Sequence, residues 1–386
     1  MAVNSKMMKS ASGDSVAFRP SARRGAFVLL GSTALLCAFS ALIHTLNLDL
    51  RIEALFYQPG EGWLWQHAQP WEDLYRWGTI PGLLLTVGSL ILLSYSLATR
   101  RWLSYQRGFL IITLTTILGA GLLINAVLKP YWGRPRPRQV EAFAGEWHYH
   151  PLHQRGIPGQ GESFPCGHCT MGYLFVTLFF LRRQAPRTAI IGGCFGLLYG
   201  TLVGMARMIQ GAHFPTDVLW SLGLIWMTAA ALHYFILPAL ARRLAPLKEM
   251  RAGQRRSLSL VMLVAVAVIT ALFLTRRPYF KTFVFDVPIS TDLHALALTT
   301  DLELSRRVTE YGPWSTGKLR VHASGFGWVT ARCEVTLTPV SRADRLELRL
   351  EGHPRGYFSE LSYELEWLLP DAAEGKVRLL YGKASS

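Results

Sequence analysis

Gly108-Phe-Leu-Ile-Ile-Thr-Leu-Thr-Thr-Ile-Leu-Gly-Ala-Gly-Leu-Leu-Ile-Asn-Ala-Val-Leu128 runs directly into Lys129-Pro-Tyr-Trp-Gly-Arg134-Pro-Arg136-Pro-Arg138. The first stretch carries no charge and is long enough to cross the hydrocarbon core of a bilayer as a helix. The second is a set of cations that prolines hold on an extended backbone. Six more apolar runs flank this pair: Gly25–Leu46, Thr79–Ala98, Cys169–Leu181, Thr188–Met205, Val218–Leu237 and Leu258–Leu274. Together they predict a mainly α, polytopic helical membrane bundle with about seven transmembrane helices, the one at Cys169–Leu181 being short. Composition agrees, since half of the 386 residues are hydrophobic and only 17% are charged, a balance unusual for a soluble protein.

A net charge of +15 would suggest nucleic acid in a soluble chain, but its placement points elsewhere. Lys6, Lys9, Arg19, Arg23 and Arg24 precede the first run; Arg100, Arg101 and Arg107 separate the second from the third; Arg182, Arg183 and Arg187 separate the fourth from the fifth. Arg242, Arg243, Lys248, Arg251, Arg255 and Arg256 fill the gap before the last. If every run crosses, these clusters share one side, which the positive-inside rule makes the cytoplasm. No nucleic-acid partner is expected, and the partners are membrane lipids. The Ser21–Phe27 segment loosely resembles a twin-arginine export signal. The run after it is nearer a full span than a signal core, and its removal would spoil the charge alternation.

The expected organisation is therefore an inner tail over 1–24, a transmembrane domain over 25–275 with its core at 108–237, and an outward-facing domain over 276–386. Three connections face out: Asp49–Gly78, Lys129–His168 and Arg207–Asp217. Trp63, Trp65, Trp71 and Trp77 in the first read as aromatic anchors at headgroup level. Beyond Leu274, alternating stretches such as Lys318–Ser324, Thr330–Thr338 and Arg345–Leu350 predict a β-rich domain, a small sandwich. Five cysteines imply no disulfide framework.

The outer connections hold the chemistry. Four cations between Lys129 and Arg138, on the side that should be poor in them, ask for a local anion. Phosphate fits, because arginine offers a planar fork to two of its oxygens. The same connection ends Ser163-Phe-Pro-Cys166-Gly167-His168-Cys169, which starts the next helix and aims free N–H groups at whatever lies beside Cys166 and Gly167. His168 stands there as a proton donor for a leaving oxygen. The third connection holds Arg207, His213 and Asp217. A carboxylate bonded to one imidazole nitrogen fixes the tautomer and leaves the other nitrogen able to attack phosphorus.

These three segments resemble the type 2 phosphatidic acid phosphatase superfamily. Its signature is Lys, six residues, Arg-Pro; then Pro-Ser-Gly-His; then Ser-Arg, five residues, His, three residues, Asp. Lys129 to Arg136-Pro137, Pro165 to His168, and Arg207 to His213 to Asp217 keep those spacings over roughly Leu110–Leu237. The resemblance implies that His213 attacks phosphorus to give a phosphohistidine, that Asp217 orients it and that His168 protonates the leaving oxygen. It implies that Lys129, Arg136, Arg207, Cys166 and Gly167 bind the phosphate, and that no metal or cofactor is needed. Two positions depart from it: Ala206 replaces a supporting serine, and Cys166 replaces a serine whose hydroxyl is a better donor than a thiol.

The expected function is a lipid phosphatase acting on a lipid-linked phosphate such as undecaprenyl diphosphate, lipid A or phosphatidylglycerol phosphate. Its place is a bacterial inner membrane with the site on the periplasmic side. Transfer to a second lipid is the alternative at the same site. Cys166-Gly-His-Cys169 also fits a membrane thiol oxidoreductase, which would leave Arg136, Arg207 and the His213–Asp217 pair without purpose. A transporter or receptor would need the cations but not that pair. His148, His150 and His153 have a zinc-like spacing, but without a clear carboxylate or cysteine partner they read as a polar loop.

Overall fold

The computed structural model describes residues 21–158, 161–243, 251–274, 276–289, 295–302, 304–341, 346–356 and 358–383. Most of the expected inner tail, with Lys6, Lys9 and Arg19, lies outside them, as does Lys248. Helix α1 (Ala22–Thr45) starts where the Ser21 hydroxyl accepts the Arg24 N–H, an N-cap. The connection after it folds as α2 (Leu48–Glu53), a two-stranded β1 (Tyr57–Gln58) and β2 (Gly62–Trp63), and α3 (Trp71–Trp77), ahead of α4 (Ile80–Thr99). Helix α5 (Gln106–Leu114) widens to a π-type helix over Thr115–Leu128 and ends in α6 (Lys129–Trp132). Helix α7 (Gly167–Tyr173) tightens into a 3-10 helix over Leu174–Leu181. Then come α8 (Pro186–Ile209), α9 (Pro215–Ala231), α10 (Leu237–Arg243) and α11 (Ala252–Leu274).

Among the described residues, 5 helical stretches are long and apolar enough to cross a membrane: Ala22–Thr45, Trp71–Thr99, Leu103–Gln139, Pro186–Ile209 and Pro215–Ala241. The count of seven is not reached. Gly167–Leu181 is apolar but shorter, although the rise of a 3-10 segment stretches its reach to roughly 26 Å. Ala252–Leu274 is helical without being among the five. Large apolar side chains such as Phe27, Leu30, Ile190, Ile191 and Leu198 lie exposed on these helices, as a lipid-facing surface requires.

Small residues set the spacing between helices. Gly192, Gly196, Gly200 and Gly204 recur every fourth position of α8 and are buried. A Cβ on Gly172 of α7 would lie 2.6 Å from the Cα of Gly200, so only glycine lets these two backbones approach.

The C-terminal region is β-rich, as its alternation predicted. Strands β3 (Arg276–Val287), β4 (Ala295–Thr300), β5 (Leu304–Gly312), β6 (Gly317–Trp328), β7 (Arg332–Ser341), β8 (Leu346–Arg355), β9 (Phe358–Pro370) and β10 (Arg378–Lys383) form two four-stranded sheets, ordered β10-β4-β8-β7 and β3-β6-β9-β5. Leu298, Leu319, Val321, Leu348, Leu365 and Trp367 fill the core of this region. The second sheet lies against the mouth of the helical bundle: the Arg76 guanidinium sits 4.2 Å from the Phe280 ring centroid, and His67 hydrogen-bonds Glu364 at 3.1 Å.

Candidate active site

Three helix ends supply the residues that the motifs singled out. Gly133, at φ +69°, turns the chain sharply after α6, and a Cβ there would meet the Ile157 carbonyl at 2.3 Å. The turn sends Arg134 and Arg136 in different directions. Lys129 and Arg136 both approach the same oxygen, Oε2 of Glu162, at 3.6 and 3.4 Å. Two cations expected to bind phosphate are thus gathered on one anionic oxygen.

Arg134 is wholly buried and goes inward. Its Nη1 donates to Asp217 Oδ1 at 2.5 Å and to Thr216 Oγ1 at 2.8 Å; its Nη2 donates to Asp49 Oδ2 at 2.7 Å, and its Nε to the His150 carbonyl at 2.9 Å. Asp217 and Asp49 offset the charge of this buried guanidinium. Asp49 is held in turn by Thr216 N–H at 3.0 Å and by the Tyr149 hydroxyl at 2.9 Å.

Nearby, Glu53 is fully buried and neither of its carboxyl oxygens has a hydrogen-bond partner. Burial first, and the charges of Asp49 and Asp217 next, push its pKa well up against the opposing Arg134. Its surroundings therefore favour the neutral carboxyl over the carboxylate.

His213 and Asp217 are both buried, and their relation differs from the expected one. His213 Nδ1 lies 2.5 Å from the Ser163 carbonyl oxygen, whereas Asp217 Oδ2 is 4.0 Å away. That separation is too long for a hydrogen bond. Asp217 Oδ2 instead accepts from Ser163 Oγ at 2.5 Å and from the Phe214 N–H at 2.8 Å. The carboxylate thus fixes Ser163, and Ser163 fixes the imidazole. A carbonyl can only accept, so Nδ1 carries the proton and Nε2 carries the lone pair.

Cys166 is the N-cap of α7 and, like Cys169, is fully buried. Its thiol interacts electrostatically with the His213 imidazole, so the expected phosphate-binding position adjoins the expected nucleophile. Both cysteines are free, and the Cys169 thiol faces the Cys166 carbonyl at 3.3 Å. Such burial leaves little access for a thiol-exchange partner. His168, on the first turn of α7, is 9% exposed and packs against Tyr75 and Phe326 at ring centroid distances of 5.6 and 5.5 Å. The Arg207 guanidinium lies 4.5 Å from the centroid of the same Tyr75 ring, and its Nη1 donates to Gln210 Oε1 at 2.6 Å. Tyr75 therefore joins the expected acid to an expected phosphate ligand.

Sequence reasoning did not single out Asp49, Ser163, Tyr75, Glu162 or Phe326, and it counted Arg134 only within the cationic run. Trp63 is a correction: only 1% exposed, it packs with Val140, Phe143 and Phe214 instead of anchoring at headgroup level, while Trp65 and Trp77 are exposed. The three loop histidines part company. His148 pairs with Glu141 at 2.8 Å, and His153 stacks edge-on with His44.

Comparison with known proteins agrees with the motifs. Residues 109–240 match the PAP2 superfamily. The chain is similar to a lipid A 4'-phosphatase of Francisella tularensis subsp. novicida (strain U112), with 31% identity over 36% of this chain and 60% of that protein. It is similar to a lipid A 4'-phosphatase of Rhizobium leguminosarum, at 33% identity over 27% of this chain and 45% of that one. A lipid A 1-phosphatase of Rhizobium etli shares 35% identity over 27% and 40% of the two chains. The chain thus spans about half the length of the curated relatives it matches. Among solved structures, a PAP2 type phosphatidylglycerolphosphate phosphatase from Bacillus subtilis aligns with a TM-score of 0.32 and 18% identity, over 58% of this chain and 98% of that one.

Proposed function

From a segment that matches the PAP2 superfamily, we propose that this protein is an integral membrane phosphatase that removes a phosphate from a phosphorylated lipid through a histidine nucleophile. The observation that carries the reading is the hydrogen bond from His213 Nδ1–H to the Ser163 carbonyl, because it leaves Nε2 unprotonated and able to act as a nucleophile. Nε2 attacks phosphorus, a P–N bond forms, and the P–O bond to the lipid breaks. His168 gives its proton to the departing alkoxide. Water then attacks the phosphohistidine while neutral His168 takes the water proton, releasing inorganic phosphate and free His213. Lys129, Arg136 and Arg207 neutralise the equatorial oxygens, where positioned charge supplies most of the catalysis.

A site on the periplasmic face of a bacterial inner membrane is supported by the distribution of Arg and Lys between loops. A lipid A-type substrate is supported by the relatives with that activity and by a site at the ends of apolar helices. The test is brief incubation of purified protein with a 32P-labelled lipid phosphate, followed by isolation of the protein. Label that is stable to alkali, labile to acid and absent from His213→Gln is expected. Label retained by His213→Gln would remove His213 as nucleophile. An added acceptor lipid distinguishes transfer from hydrolysis.

A further inference from the structure

Away from the candidate active site, the bundle carries an apolar groove of about 600 Å³ between α4, α5, the 3-10 segment after α7 and the start of α8. Leu84 and Leu92 line it along α4, Phe109 and Ile112 along α5, and Leu178 and Leu181 along the 3-10 segment. From Leu84 to Leu92 it follows α4 for roughly 12 Å, the rise of eight helical residues. The groove is therefore elongated. At its middle Gly88 contributes no side chain, and a Cβ there would meet nothing within 4 Å. Leu84 and the neighbouring Ile91 are exposed, so the groove opens on the surface that faces lipid, and hydrocarbon is what it meets there.

One end of the groove is of a different chemistry. Trp102, Tyr105, Ala185 and Thr188 line it there, where the connection over 99–107 meets that over 182–187. The Tyr105 hydroxyl donates to the Gln184 carbonyl at 3.2 Å, and Gln184 Nε2 donates to the Ser104 carbonyl at 3.1 Å. The two connections carry Arg100, Arg101, Arg107, Arg182, Arg183 and Arg187 and no Asp or Glu. Arg100, Arg101 and Arg187 are exposed, while Arg107 turns inward to the His233 carbonyl. Arg100 and Trp102 hold φ at +58° and +56°, a left-handed backbone that strains residues with a Cβ and clusters at ligand-binding segments. An aromatic ring and a group of cations at the mouth of a hydrocarbon-lined groove match the two halves of an anionic phospholipid. A soluble anion would leave the groove unfilled, and an uncharged lipid would not answer the arginines.

We infer that this groove binds one anionic phospholipid of the leaflet opposite the candidate active site, with an acyl chain lying between α4 and Leu178 and the phosphate held by Arg101 and Arg187. The lipid is a resident ligand and not a substrate. Thr99 and Pro186, which flank the mouth, are the ends of α4 and α8 that lie away from Tyr75 and Arg207. The chain packs the far end of the helix whose first turn carries His168, since Leu178 and Leu181 belong to its 3-10 continuation. The inference goes beyond the phosphatase reading and does not depend on it.

The experiment takes the full-length protein in detergent, adds phosphatidylglycerol or phosphatidylcholine with the same acyl chains, and reads retained lipid by native mass spectrometry. The parent is expected to hold one phosphatidylglycerol per chain, with a preference of about tenfold over phosphatidylcholine. Gly88→Phe, which fills the groove, is expected to lower retention of both lipids by about tenfold. Arg101→Gln combined with Arg187→Gln leaves the groove open and is expected to bring the preference to within about twofold. Added phosphatidylglycerol is expected to raise the unfolding temperature of the parent but not of Gly88→Phe, and equal unfolding temperatures without added lipid report that the variants are folded. The double variant, changed only at exposed residues, carries the test if Gly88→Phe does not fold. Equal retention of the two lipids by the parent, or undiminished phosphatidylglycerol retention in both variants, would overturn the site. A lipid-free dimer in place of the lipid adduct would assign the groove to a second copy of the chain and overturn it as well.

Discussion

Ser163 stands between His213 and Asp217: its carbonyl oxygen lies 2.5 Å from His213 Nδ1, and its hydroxyl donates to Asp217 Oδ2, also at 2.5 Å. One residue therefore transmits the position of the carboxylate to the imidazole through two separate groups. Only one of those groups is removable by mutation.

Ser163→Ala keeps the carbonyl and loses the hydroxyl, so the imidazole retains its tautomer while its support loosens. Activity is expected to fall by about tenfold or less, the loss of one hydrogen bond. Asp217→Ala strips Arg134 of one of two buried carboxylates, and breaking such a pair costs about 3–5 kcal/mol. Thermal unfolding and steady-state kinetics on the two variants separate these effects. Equal loss of stability in both would show that the carboxylate does not hold Arg134.

Lys129 and Arg136 share Glu162 Oε2, an internal anion where phosphate is expected. Glu162→Gln is expected to tighten inhibition by inorganic phosphate by roughly threefold, with a steeper dependence on salt. Competitive inhibition measured at two ionic strengths checks it. Weaker phosphate binding would instead make Glu162 part of the binding site.

Glu53 is buried without hydrogen-bond partners, and its carboxyl pKa is pushed well above the ordinary 4.5, by burial first. Below that ordinary value folded and unfolded chains both hold the proton. Above it the unfolded chain ionises while the folded one keeps its proton, so stability is lost as pH rises toward the folded pKa. Glu53→Gln is expected to unfold at nearly the parental temperature near about pH 4 and at a higher one near about pH 8. A parallel shift at both values would contradict a protonated Glu53.

The Phe326 ring from β6 packs on His168 and Tyr75. Phe326→Ala is expected to lower kcat/KM by about tenfold and stability by about 1.5–3 kcal/mol, the value of one buried aromatic. Phe326→Leu, which keeps most of the cover, is expected to fall between. Unchanged turnover in Phe326→Ala would show that the β region does not reach the reacting groups.

Much of the helical fold was legible because lipid imposes a length and an apolar composition that sequence displays directly. Gly108–Leu128 and Thr188–Met205 needed no tertiary information. The expected runs at Cys169–Leu181 and Leu258–Leu274 lie in helical segments, Gly167–Leu181 and Ala252–Leu274, that are not among the five long apolar stretches of the described residues, and hydropathy does not report the switch to 3-10 geometry. Trp63 was misplaced for a related reason. Aromatic residues near a membrane edge serve equally as anchors or as core, and Gly211 gives the Trp63 ring its seat by having no Cβ.

The sequence by itself determined which residues are candidates for the site, because Lys129, Arg136, His168, Arg207, His213 and Asp217 carry their chemistry in residue type and their grouping in short spacings. Tertiary structure alone decided which arginine turns inward, since Arg134 and Arg136 are two residues apart in one Pro-rich run and differ only in what surrounds them. It also decided that Ser163, and not Asp217, holds His213, and that a β region distant in sequence packs Phe326 on His168. Hydrogen-bond direction and long-range contact depend on where separate helices and strands meet, and local sequence does not record that.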